Sequence, residues 1–115
     1  MRTRFLRWVT MLALLCAGAV AAAPGADFES TLRAADQARS ADVGRFQALL
    51  AELDGRRNEA DALQRERLRY LQAYSLLAYS RNPEGAISEA VALFGSTKDT
   101  DLKFRAGSLV VNSHA

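Results

Sequence analysis

Leu68-Arg69-Tyr70 and Leu102-Lys103-Phe104 match residue type for residue type, 34 positions apart. The match runs on: Ala73 falls on Gly107, Leu76 on Val110 and Leu77 on Val111. This self-similarity constrains the fold more than composition does. A unit of that length is too short to enclose its own apolar face, and it completes a core only by stacking on neighbours. Each unit is then a helix pair, because the apolar residues recur at helical spacing and nowhere alternate as in a strand.

In chain order, Asp27 is the predicted cap of a first helix with Phe28, Leu32, Ala35 and Ala38 on one face. After the break at Arg39–Asp42, Ser40 is the predicted cap of a second helix. It carries Val43, Phe46, Leu49, Leu50 and Leu53, with Gly44 in its first turn. Gly55 suits a left-handed end to that helix. Asn58, with Asp61 in the first turn, opens a third helix over about 59–80, charged in its first half and apolar on several faces in its second. The run Arg65-Glu66-Arg67 reads as a solvated face. Asn82-Pro83-Glu84 starts a fourth helix carrying Ala86, Ile87, Ala90, Val91, Leu93 and Phe94, and Gly95 ends it. A fifth begins near Asp101 with Leu102, Phe104, Ala106, Leu109, Val110 and Val111.

The 34-residue period is that of tetratricopeptide-type helix pairs. On this register Tyr70 and Phe104 share the opening aromatic position, and Ala86 is the small residue early in the partner helix. Tyr74 stands where a small residue is usual, and no proline closes the unit. The expected fold is all-α: antiparallel helix pairs in a tetratricopeptide-like repeat over residues 23–115, preceded by a signal-peptide helix at 1–22. The fifth helix is the first half of a second unit without its partner, so Leu109, Val110 and Val111 are expected to lack a cover. A segment incomplete at its C-terminus is the expectation.

The leader begins with Arg2, Arg4 and Arg7, continues without charge from Val9 to Ala23, and ends in small residues. That is the pattern of a secretory signal peptide, with cleavage after Ala21 or Ala22. The uncharged run spans roughly 22 Å as a helix, short of a ~30 Å hydrocarbon core. Cys16 follows Leu14 and Leu15, which does not suit a lipidated cysteine. The formal charge of the whole chain is +2; beyond residue 22, 12 basic residues face 13 acidic ones and the net charge is −1. The basic character belongs to the leader, and nucleic-acid binding has no electrostatic basis. The periplasm is the expected destination.

Beyond the leader there is no cysteine, and the single histidine is His114. A histidine-based triad and a thiolate or two-histidine metal site are therefore excluded. Gly95-Ser96-Thr97-Lys98 has phosphate-loop letters in the wrong order and reads as a helix stop. Glu52, Asp54, Glu59 and Asp61 flank a helix boundary and read as capping acids rather than a cation site. Tyr70, Tyr74 and Tyr79 read as core, with Tyr70 and Tyr74 on one face and Tyr79 off it. No catalytic, cofactor-binding or metal-ligating residue is predicted.

Leu68–Tyr79, Ala86-Ile87 and Asp101–Ser113 together resemble the periplasmic N-terminal region of xanthomonad-type diguanylate cyclases, over about residues 28–113. The resemblance implies a signal peptide, tetratricopeptide-like helices, a membrane helix and a cytoplasmic GGDEF domain that makes cyclic di-GMP from GTP. The GGDEF motif is not in this sequence, so no catalytic residue carries over. The expected role is sensory, with a protein partner or downstream helical repeats, and with membrane contact only through the leader or a downstream helix. The alternative is a stand-alone secreted interaction module, without enzymatic activity, that pairs through its last helix.

Overall fold

The computed structural model describes residues 27–113. The signal-peptide reading of residues 1–22 and the linker Pro24-Gly25-Ala26 lie outside them. The described chain is all-helical: α1 (Phe28–Ala38), α2 (Val43–Asp54), a 3-10 turn (Arg57–Glu59), α3 (Ala62–Ala78), α4 (Pro83–Ser96) and α5 (Thr100–Ser113). None of the described helices is long and apolar enough to cross a membrane.

Two helix starts follow from local chemistry as expected. Asp27 Oδ1 accepts the Ser30 N–H at 2.7 Å, and Asn82 Oδ1 accepts that of Gly85 at 3.0 Å with Pro83 at the first helical position. Gly85 has a positional reason, because a Cβ there would lie 2.7 Å from Asn82 Nδ2.

Two starts differ from expectation. The second helix is capped by Asp42, not Ser40. The N–H groups of Ala41 and Asp42 both return to the Ala38 carbonyl, at 3.1 and 2.9 Å, so Ser40 is consumed in the turn. Asp42 is then the first extended residue, and its Oδ1 accepts the Arg45 N–H at 3.1 Å. The third helix is capped by Asp61, not Asn58, which lies in the 3-10 turn. Asp61 and Gln64 exchange side-chain-to-backbone hydrogen bonds at 2.8 and 3.0 Å, a capping box that satisfies two end donors at once.

Two helix ends also differ. Gly55 is right-handed, at φ −72, because the chain runs directly on into the 3-10 turn. Gly95 stays inside α4, which ends at Ser96 with Thr97 as its cap.

The left-handed residue is instead Arg81, at φ 51 in the α3–α4 turn, where the Asn82 N–H swings back to the Leu76 carbonyl at 2.9 Å. A non-glycine residue there costs about 1 kcal/mol. Arg81→Gly is therefore expected to stabilise the fold by about 0.5 kcal/mol, the relief being partly offset by the freer unfolded chain. Thermal unfolding followed by circular dichroism measures it.

α3 packs against all four other helices. Its Leu68 and Leu71 join Leu32, Phe46, Leu53, Leu93 and Leu102 in one buried core. Phe46 is fully enclosed, with Tyr74 and Tyr79 each 6.0 Å from its ring and 6.2 Å from each other. Tyr79 joins this cluster because α3 has ended and the chain is turning; its hydroxyl donates to the Arg39 carbonyl. Tyr70, one turn before Tyr74, lines a cleft shared with α1 and α5.

The charge run on α3 is not simply solvated. Arg67 donates to both oxygens of Glu29 on α1 at 2.9 Å, and Glu66 accepts from the buried Thr97 hydroxyl at 2.9 Å. These residues tie helices together through charge-assisted bonds.

Candidate interaction surface

α5 carries two apolar stripes on opposite sides. Leu102, Ala106 and Leu109 are buried against the rest of the molecule; Phe104 and Val111 are 73% and 70% exposed. The 34-residue register makes this informative. Leu68 and Leu102, at equivalent positions, are both buried, yet Tyr70 is only 7% exposed where Phe104 is open. Likewise Leu77 packs partly on the core where Val111 does not. What differs is the cover: the Tyr70 ring lies against α5, with the Arg105 guanidinium 5.6 Å from its centroid. Leu109 and Val110, expected to be uncovered, are in fact buried in the core and half-buried against it.

The exposed stripe continues onto α4 through Val91 and Phe94, one helical turn apart and each about half exposed. Gly107 sets the shape of the junction. A Cβ at this position would come 3.3 Å from Phe94 Cε2, so glycine lets the ring lie on α5. Lys103 Nζ sits 4.9 Å over the same ring, a cation–π contact that orders the rim. Beside Phe104, the small residues Gly107 and Ser108 leave a shallow hollow bounded by Phe94 and Val111. A contiguous apolar patch of this kind is the mark of an interaction site.

A second feature lies at the junction of α1, α3 and α5. Asp36 accepts from Arg39 Nε at 3.0 Å and from Arg105 Nη1 at 2.9 Å. Arg105 is also paired with Asp101 at 3.3 Å. The cleft above, about 100 Å³ in volume, is lined by Leu32, Asp36, Tyr70, Leu102 and Arg105 among others. Its arginines already hold carboxylates, so an anionic ligand would have to break existing pairs. The arrangement acts as a clasp from α1 to α5.

Burial pushes the Asp36 carboxyl up, but the hydrogen bonds and charges of Arg105 and Arg39 outweigh it and hold its pKa below 3.8. A carboxyl lowered on folding stabilises the fold above its unfolded pKa, and that stability is lost as pH falls through the folded value. Thermal stability should therefore drop below about pH 4, where an unfolded aspartate begins to protonate. Asp36→Asn should cost about 1–2 kcal/mol at pH 7 and flatten the acid limb of the profile. Calorimetry between neutral pH and pH 2 checks both.

The acidic residues near the α2–α3 boundary are dispersed among separate partners. Glu52 and Glu59 pair with Arg56 at 2.8 and 2.9 Å, Asp54 with Arg57 at 2.7 Å, and Asp61 caps α3. The capping reading thus holds for Asp61, while the other three are arginine partners. Gly95 and Ser96 close α4, and Thr97 turns its hydroxyl to Glu66. No group of three or more metal-ligating side chains comes together among the described residues.

Sequence reasoning missed the clasp and the exposed stripe. The stripe had a signal: Phe104 and Val111 lie on the side of α5 opposite Leu102, Ala106 and Leu109. No family model matches the chain, and no curated protein or solved structure matches it significantly.

Proposed function

We propose that the chain is a periplasmic helical-repeat segment, tetratricopeptide-like, that senses or binds a partner at the amino-terminal side of a membrane-bound diguanylate cyclase. The observation that carries the interaction reading is the contrast between Tyr70, covered by α5, and Phe104, its register equivalent, exposed beside Val111, Phe94 and Val91. A stacking architecture leaves such a face open for the next cover. The Arg-led leader and the likeness of Leu68–Tyr79 and Asp101–Ser113 to cyclase input regions support the location and the pathway. On this reading the segment does no chemistry. It transmits whether its α4–α5 face is covered.

Export is tested by placing residues 1–26 ahead of a reporter that is active only outside the cytoplasm. Activity is expected, and the processed full chain should begin at residue 22 or 23 by mass. A cytoplasmic, unprocessed product would remove the periplasmic reading. The cyclase link is tested by sequencing the gene beyond this segment: further helices, a membrane helix and a GGDEF motif are expected. Their absence would leave the second reading, a stand-alone secreted interaction module, which the same exposed face supports.

A further inference from the structure

We propose that α1 is an acid-released strap: below about pH 4 it lifts from α3 and α5 about the turn at Arg39–Asp42, baring the cleft beside Tyr70 and Leu102 while α2, α3 and α4 stay packed. The inference is independent of the α4–α5 face and of what covers it.

The acidic residues of α1 and its cap are Asp27, Glu29 and Asp36, and all three hold the helix in place. Asp27 caps it through the Ser30 N–H at 2.7 Å. In the first turn Glu29 accepts from Gln64 at 3.1 Å and from Arg67 at 2.9 Å, both on α3. In the last turn Asp36 accepts from Arg105 of α5 at 2.9 Å. Glu29 and Asp36 are about two helical turns apart, so they pin the two ends of one face, with Leu32 between them. The Tyr79 hydroxyl on the Arg39 carbonyl holds the turn without a carboxylate and fixes the hinge.

The apolar hold on α1 is light. Its buried residues are Phe28, Thr31, Leu32, Ala35 and Ala38, of which Phe28 and Leu32 are large. α2 is fastened to α3 by groups that acid leaves alone: Phe46 against Tyr74 and Tyr79, and Gln47 donating to Ser75 Oγ at 2.9 Å. α4 has an uncharged cap in Asn82 and packs along both α3 and α5.

The charged groups around the α1 carboxylates are mostly guanidiniums. Arg33 and Arg39 come from α1 and its end, Arg67 from α3 and Arg105 from α5. Arg56, after α2, reaches the Thr31 hydroxyl at 3.5 Å. Asp99 and Asp101 line the cleft from the start of α5, together with Tyr70 of α3. Hydrogen bonds from Ser30 hold the Asp27 carboxyl below its usual range, and those from Gln64 and Arg67 do the same for Glu29. Burial raises Asp36, and Arg105 and Arg39 outweigh it. Stability from such groups is present above the unfolded pKa and lost as pH falls through the folded one, so all three let go in the same direction. Protonation also leaves Arg67 and Arg105 without their α1 acceptors in a partly buried junction, which favours opening to water.

The test is hydrogen exchange of the full chain, read by mass spectrometry at about pH 7 and about pH 3 and corrected for the intrinsic rate of an open chain. Protection of the α1 amides should fall at least about tenfold more than that of α2, α3 and α4. Glu29→Gln combined with Asp36→Asn should lower α1 protection already at neutral pH and remove most of its further response to acid. Glu89→Gln, which breaks the pair between α4 and Arg69 of α3, should leave the α1 response unchanged. An α1 that keeps its protection relative to α2, α3 and α4 in acid overturns the proposal. So does a loss that any of those helices shares equally, which would make the acid transition global or move α1 and α2 together. A double variant with the full acid response of the wild type overturns it as well, and if that variant fails to fold, the wild-type comparison alone decides.

Discussion

Phe46→Ala is expected to remove a large part of the chain's folding stability. Phe46 is fully enclosed, and two tyrosine rings from α3 and its end meet it edge-on. Truncation opens a cavity among rings that cannot all collapse into it, since Tyr79 is anchored by its hydroxyl to the Arg39 carbonyl. The loss is about 3–5 kcal/mol for a buried phenylalanine. A domain of this size holds only about 0.05–0.15 kcal/mol per residue, so the deletion consumes most of its stability. Urea unfolding followed at 222 nm reads it directly. A change below about 1 kcal/mol would mean that the three-ring cluster is not the anchor of α2 on α3.

Tyr70→Ala and Phe104→Ala, at equivalent positions of the 34-residue register, should behave oppositely. Tyr70 is packed between α1 and α5 and stacked under Arg105, with Leu32 and Leu102 lining the same cleft. Its truncation should cost about 3 kcal/mol, through the lost packing and the arginine contact. Phe104 touches little in the monomer, so its truncation should change monomer stability by less than about 0.5 kcal/mol. Unfolding at high dilution compares the two. Equal losses would remove the idea that Phe104 lacks the cover that Tyr70 has.

The parts of the fold that were legible in the sequence are those decided within one turn of chain. Asp27, and Asn82 with Pro83, announce helix starts because the cap, the acid and the proline act on adjacent backbone groups. Leu68 and Leu102 announce the core because both lie on stripes of helical period. The illegible parts were competitions. Ser40 and Asp42 both carry capping side chains, and the choice fell to Asp42 because two N–H groups converge on the Ala38 carbonyl. Asn58 lost to Asp61 because only Asp61 has a glutamine three residues on to complete the box. The clasp between Asp36 and Arg105, 69 positions apart, has no local signature at all.

The interaction surface was half legible. Both stripes of α5 can be read from the spacing of Leu102, Ala106 and Leu109 against Phe104 and Val111. Which of them the molecule buries depends on where α4 sits. Leu109 was expected to lack a cover and is buried, because it shares the core-facing stripe with Leu102 and Ala106. The Gly107–Phe94 contact is a matter of shape, visible only once the two helices are side by side.

Hydroxyl-radical footprinting of the aromatic side chains, run over a dilution series, tests the central claim most directly. Tyr70 should stay protected at every concentration. Phe104 should label strongly at the lowest concentration. A Phe104 that is as protected as Tyr70 at the highest dilution would contradict an open α4–α5 face, and labelling of Tyr70 there would contradict the cover that α5 gives it.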